Sequence, residues 1–250
     1  MLAYEADGRG PRLVLVHGFT QTARSWGPLA EALAADHEVV RVDAPGHGRS
    51  ARVEADLWEG AELLVATARR GTYLGYSMGA RLCLHAALAH GAQVRGLVLL
   101  GATAGIDDPE GRAERGASDE GWARCLETEG LEVFLERWLA QPLFATLHPT
   151  AAGLDARREN TVAGLASSLR RAGTGVQEPL WPRLGELAMP VLVLAGERDE
   201  RFVTLGERLA GAIGANATLA VVAGAGHAAH LEGPEAVLAA LRPWLAAHHL

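Results

Sequence analysis

Two apolar rhythms alternate along the first hundred residues. Largely apolar runs at Leu13–Val16, Val39–Val42, Thr72–Leu74 and Val94–Leu100, interrupted by Arg41 and Arg95, predict strands buried on both faces. Between them, Trp26–Ala34, Leu57–Ala68 and Met78–His90 place apolar residues at helical spacing. Leu2–Ala6 reads as an edge strand closed by the turn Asp7-Gly8-Arg9-Gly10. Buried strands separated by helices predict a mostly parallel sheet covered by helices on both sides.

From about Gly105 to Pro182 the rhythm changes. No buried strand is evident there, and the segment is helical in character and richer in charge. At Pro190 the first pattern returns, with strands at Val191–Ala195 and Thr218–Val222 and helices at Phe202–Ile213 and Pro234–Ala247. The expected organisation is a core domain of residues 1–104 and 183–250, interrupted by a helical cap over 105–182.

The chain has 250 residues, 49% of them hydrophobic, which suits one large domain or a core with an insertion. A formal net charge of −7 argues against a nucleic-acid partner. No apolar run approaches the roughly 18 residues of a membrane span. The opening Met1–Asp7 has neither the basic flank nor the apolar core of a signal peptide. Cys83 and Cys125 read as idle thiols in helices, so the cytoplasm is the expected compartment. All 23 cationic residues are arginines, so every fixed positive charge is a planar fork suited to carboxylates, and lysine Schiff-base chemistry is excluded.

Gly75-Tyr76-Ser77-Met78-Gly79 lies between a strand and a helix. Glycines two residues either side of a serine permit a turn sharp enough to lift the hydroxyl clear of the sheet. Such a serine needs a base, and the base needs an orienting acid. Asp199 follows the Val191–Ala195 strand, and His227 follows the Thr218–Val222 strand. Each residue has an ordinary reading as well: Ser77 and Asp199 as helix caps, His227 as a loop histidine. Their order and shared placement after strands favour a Ser–His–Asp relay over Ser77, His227 and Asp199. Glu197 is the rival acid, although it sits nearer the strand. The Phe19 N–H after His17-Gly18 and the Met78 N–H at a helix start form a candidate oxyanion hole. His17 itself reads as structural.

Together these residues resemble the α/β-hydrolase superfamily over essentially the whole chain. The stretches His17-Gly18-Phe19-Thr20, Asp43–Gly48, Gly75–Arg81, Gly196–Phe202 and Gly226–Glu232 are similar to one branch of it, the menaquinone-pathway 2-succinyl-6-hydroxy-2,4-cyclohexadiene-1-carboxylate synthases. Trp138–Phe144 and Gly173-Thr174-Gly175 extend the likeness into the helical segment. The resemblance implies an α/β-hydrolase fold, with the cap inserted after the sixth strand. It also implies a lyase that eliminates pyruvate from 2-succinyl-5-enolpyruvyl-6-hydroxy-3-cyclohexene-1-carboxylate, a substrate with three carboxylates. Ser77, activated by His227, would then abstract a ring proton, and no metal or organic cofactor is implied. Tyr76, Arg81, Arg115, Trp138, Phe144 and Arg157 are the implied substrate contacts, with Arg158 an alternative to Arg157. The expected partner is a small anionic molecule, with neither nucleic acid nor membrane, and the chain is expected to be a monomer or small homo-oligomer. A serine carboxylesterase working through an acyl-enzyme is the competing enzyme reading, and a ligand-sensing receptor on the same fold is the non-enzymatic one.

Overall fold

The computed structural model describes residues 1–250. Seven strands form one sheet: β1 (Tyr4–Asp7), β2 (Arg12–Val16), β3 (Glu38–Val42), β4 (Gly71–Tyr76), β5 (Val94–Leu100), β6 (Val191–Gly196) and β7 (Ala217–Val222). Their order across the sheet is β1-β3-β2-β4-β5-β6-β7. Only β1 runs antiparallel, as an edge strand against β3; every other pair is parallel. β4 and β6 are buried at every position, which is why they read as unbroken apolar runs rather than alternating ones. β1 is mostly exposed, so little in its pattern fixes its ends, and it starts two residues later than expected.

Successive strand residues point to opposite faces. Leu13, Leu15, Leu74, Val98, Leu100, Leu192 and Leu194 pack on one side, against Leu29 and Leu33 of α1 (Gly27–Leu33). Val14, Val16, Tyr73, Leu97, Leu99, Val191 and Val193 pack on the other, against α2 (Leu57–Ala68) and α3 (Met78–Ala89). Each fully buried leucine in these layers stabilises the fold by roughly 1.5–3 kcal/mol. The α2 start is fixed by a capping box, in which Asp56 accepts from Trp58 and Glu59 N–H and Glu59 reaches back to Asp56 N–H. The helix expected over Trp26–Ala34 splits into a 3-10 turn, Ala23–Trp26, and α1, because Gly27 (φ 30°) redirects the chain and Pro28 restarts it.

Between β5 and β6 there are helices and no strand: α4 (Pro109–Leu139), α5 (Leu154–Arg157) and α6 (Val162–Ala172), joined by short 3-10 turns. This segment follows the fifth strand, not the sixth, since the first hundred residues spell only five strand-forming runs. α4 starts at Asp108, whose side chain accepts from Gly111 N–H, and breaks at Gly130 (φ 84°, ψ 173°). Beyond that break Phe134, Leu135 and Trp138 join the apolar layer under the segment. The chain closes with α7 (Glu200–Ile213), α8 (Ala229–Glu232) and α9 (Pro234–Ala247). Ser77, Asp199 and His227 all follow the carboxyl ends of strands β4, β6 and β7, and therefore emerge at one rim of the sheet.

Candidate active site

Ser77 occupies the single residue between β4 and α3, with φ 51° and ψ −109°. A positive φ is strained for a residue with a side chain, and such strain persists only where the surroundings enforce it. The neighbouring glycines do so. A Cβ on Gly75 would lie 2.3 Å from Gly79 O, and one on Gly79 would lie 2.1 Å from Val16 O. The Ser77 N–H is tied to Leu100 O at 2.8 Å. The Gly-x-Ser-x-Gly spacing is thus a steric requirement of the turn.

The Ser77 hydroxyl lies 3.1 Å from His227 Nε2, and His227 Nδ1 lies 2.7 Å from Asp199 Oδ2. The Asp199 carboxylate accepts the Nδ1 proton, which leaves Nε2 free to accept from the serine. The His227 side chain is only 1% exposed, so this relay is sealed from solvent at its centre. Asp199 also serves as the N-cap of α7, through Oδ1 and Phe202 N–H at 3.4 Å. Glu197 accepts instead from Gly224 N–H at 2.8 Å and belongs to an exposed turn, which removes it as the acid of the relay.

The Gly18–Thr20 turn faces the serine and is braced on several sides. The carbonyl of Gly18 accepts from His17 Nδ1 (2.8 Å) and Gln21 N–H (3.1 Å), while its N–H donates to Gln21 Oε1 (3.2 Å). Thr20 has φ 68°. Its N–H donates to His47 Nε2 at 3.3 Å, and its carbonyl accepts from Asn160 Nδ2 at 2.7 Å. Burial holds the His17 imidazole below its ordinary range and takes His47 down to about 3, so both are neutral braces. His17 Nε2 accepts from Ala44 N–H at 3.1 Å, a structural role. Met78 begins α3, where its N–H has no acceptor within the helix. Phe19 and Met78 border the same cavity as Ser77.

That cavity, about 1050 Å³, runs from Ser77 to the inner faces of α4, α6 and α7. Of the residues singled out in the sequence, Phe19, Tyr76, Ser77, Met78, Arg81, Arg115, Trp138, Phe144, Asp199 and His227 all line it. Arg157 does not. Its guanidinium is buried against Thr20 Oγ1 and Ala152 O, so it grips the Gly18–Thr20 turn from behind rather than facing the cavity. Arg158 is exposed and paired with Glu132. The irregular spacing after Phe144 concealed this arrangement.

Charge in the cavity is mostly paired. Arg115 bonds Asp119 at 2.7 Å, and Arg208 pairs with Asp107 while stacking on Trp181. Arg81 has no carboxylate partner; its Nη1 donates to Ala172 O (2.8 Å) and Gln177 Oε1 (3.1 Å). Burial, with the nearby Arg115 charge, lowers its pKa to about 10, so it stays cationic at neutral pH. Arg201 is a second lining arginine without a carboxylate partner, at the exposed mouth on α7. It lies within the Gly196–Phe202 stretch, but the sequence marks no role for it there, because with Thr204, Leu205 and Arg208 on the same helix face it reads as an ordinary solvated arginine. A buried, unpaired guanidinium beside an activated serine can bind an anion and hold it for proton transfer. No cluster of three or more His, Cys, Asp or Glu side chains is arranged to hold a metal ion, and no helix is long and apolar enough to cross a membrane.

Residues 13–240 match the alpha/beta hydrolase family. The chain is 36% identical over 244 residues, 92% of each chain, to 2-succinyl-6-hydroxy-2,4-cyclohexadiene-1-carboxylate synthase of Escherichia coli. The structure of MenH from S. aureus superposes with a TM-score of 0.92 at 28% identity, covering all of both chains. A thermophilic esterase from Thermogutta terrifontis superposes with a TM-score of 0.86 at 25% identity, over all of this chain and 94% of the esterase. With its serine turn, mostly parallel sheet and family match over most of its length, the chain belongs to the alpha/beta hydrolase family.

Proposed function

We propose that this protein is a carbon–oxygen lyase that releases pyruvate from 2-succinyl-5-enolpyruvyl-6-hydroxy-3-cyclohexene-1-carboxylate, giving 2-succinyl-6-hydroxy-2,4-cyclohexadiene-1-carboxylate. The observation that carries the reading is Arg81, a buried cation without a carboxylate partner, lining the same cavity as the Ser77–His227–Asp199 relay. The synthase name of the Escherichia coli relatives supports it. In this mechanism His227 Nε2 takes the hydroxyl proton of Ser77 as the serine oxygen takes the ring proton next to the succinyl carbonyl. Charge develops on that carbonyl oxygen, which the Phe19 and Met78 N–H groups stabilise. The ring double bond shifts, the C–O bond to the enolpyruvyl group breaks, the ring gains its second double bond, and the departing enolate becomes pyruvate by taking the proton held on His227.

Arg81 and Arg115 bind substrate carboxylates, Arg201 at the mouth meets the outermost one, and Trp138, Phe144 and Tyr76 form the apolar wall. Arg157 acts from behind the Gly18–Thr20 turn. The segment 105–182 is the cap over a core of 1–104 and 183–250, and it excludes water from the developing charge. The test is incubation with the enolpyruvyl substrate and measurement of pyruvate by a coupled NADH assay. Stoichiometric pyruvate, lost in Ser77→Ala, supports the lyase; an inert wild-type protein overturns it.

The likeness to an esterase favours one second reading, in which Ser77 is acylated. Ester turnover with an acyl group trapped on Ser77 would support it. The unpaired Arg81 has no role with a neutral ester, which is why the lyase is preferred.

A further inference from the structure

His227 carries the proton in the proposed reaction, yet it sits in a loop between β7 and α8. Its ring is boxed by Phe202, Tyr76 and Phe144, with centroids 4.4, 5.3 and 6.2 Å away. Its backbone is held by one side chain. Glu232 Oε2 accepts from Gly226 N–H at 2.8 Å, and Glu232 Oε1 accepts from Ala228 N–H at 3.0 Å. The two oxygens of a single carboxylate thus take the N–H groups of the residues before and after His227.

The local sequence makes room for this clamp. A Cβ on Gly226 would lie 2.0 Å from Thr146 Oγ1 and 3.0 Å from Glu232 Oε2, so glycine leaves room here for Thr146 and for a close approach of the carboxylate. A Cβ on Gly196 would lie 2.0 Å from Gly226 O, so the β6 rim packs against the Gly226–His227 peptide. Glu232 forms no ion pair with an arginine or histidine, and its charge is satisfied by these two peptide donors. Hydrogen bonds to an ionised carboxylate are about twice as strong as neutral ones.

We infer that Glu232 is a positioning residue for the reaction, fixing the His227 imidazole on the line between Ser77 and Asp199 by holding the backbone N–H groups of Gly226 and Ala228, the residues on either side of it. It touches neither the substrate nor the reacting atoms. The inference rests on His227 being the proton carrier, and the controls separate the two ideas.

The experiment compares Glu232→Gln, Glu232→Ala and His227→Ala with wild type. Glutamine keeps the shape but offers one acceptor oxygen and sets an NH₂ donor against the other N–H. A displacement of the order of 1 Å in a catalytic group can cost roughly 100-fold in rate. The expected result is kcat lower by about 10-fold in Glu232→Gln and about 100-fold in Glu232→Ala, with KM within about twofold, since no substrate contact is lost. In the free protein, the low-field proton NMR signal of His227 Nδ1–H should broaden in Glu232→Gln. Wild-type kcat and a wild-type signal in Glu232→Gln, beside an inactive His227→Ala, overturn the positioning role alone. An active His227→Ala overturns the proton-carrier reading and this inference with it.

Discussion

Asp199 and His227, 28 residues apart in the chain, meet at 2.7 Å because β6 and β7 pair in parallel and end at the same rim. Asp199 keeps its second oxygen for the start of α7. The helix-cap reading and the relay reading of this residue are therefore compatible, one oxygen each.

This division makes Asp199→Asn informative. Asparagine is an equally good N-cap, so the melting temperature should stay within a few degrees of wild type. The amide cannot enforce the same imidazole tautomer, and kcat should fall by roughly 10⁴-fold. Steady-state kinetics and a thermal melt on the same preparation measure both.

Arg81→Ala removes a charge-assisted contact and should lower kcat/KM for the tricarboxylate by about 2 kcal/mol, or about 30-fold. Arg81→Lys should recover only part of this, because an ammonium cannot donate to Ala172 O and Gln177 while also presenting a planar fork. Rates on a neutral ester should be unaffected by either change, and that contrast isolates the charge from general damage to the pocket.

Acid should weaken the fold through its buried neutral histidines. Burial lowers the pKa of His47 to about 3 and of His85 to about 4, whereas both titrate near 6.5 when unfolded. Below pH 6.5 the unfolded chain binds protons that the folded chain refuses, so stability is full above that pH and declines as pH falls toward about 4. The slope is about 1.4 kcal/mol per pH unit for each such histidine. Urea midpoints at pH 7 and pH 5 should show the loss, and His85→Gln should flatten it.

Two glycine substitutions should move stability in opposite directions. Gly79→Ala drives a methyl into Val16 O and His17 O, backbone atoms that cannot move aside, and should cost about 2 kcal/mol or more. Gly121→Ala, on α4 with open space around its Cβ, should add up to about 1 kcal/mol. Denaturant titration of the two variants gives the comparison.

The sheet is legible in the sequence because strands buried on both faces must be apolar nearly throughout; the runs that predict β5, apolar but for the exposed Arg95 near its start, and β6 match those strands to within one residue. The meeting of Ser77, His227 and Asp199 followed from topology, since parallel strands deliver their ends to one rim. Arg157 was misplaced because proximity to a cavity and exposure to it look alike in sequence; only folded contacts show its guanidinium turned to Thr20. Glu232 was quoted within a motif but given no role, since hydrogen bonds from a side chain to backbone N–H groups leave no periodic signature. Arg201, inside the Gly196–Phe202 stretch, carries no signal of a role either, because an arginine on an amphipathic helix is ordinarily solvated.

Supplying the purified protein with 2-succinyl-5-enolpyruvyl-6-hydroxy-3-cyclohexene-1-carboxylate and following pyruvate and diene together tests the account most directly. It predicts one pyruvate per cyclohexadiene, no covalent adduct on Ser77, and loss of both products in Ser77→Ala. Absence of pyruvate from wild-type protein that instead accumulates an acyl group on Ser77 with short-chain esters would contradict it.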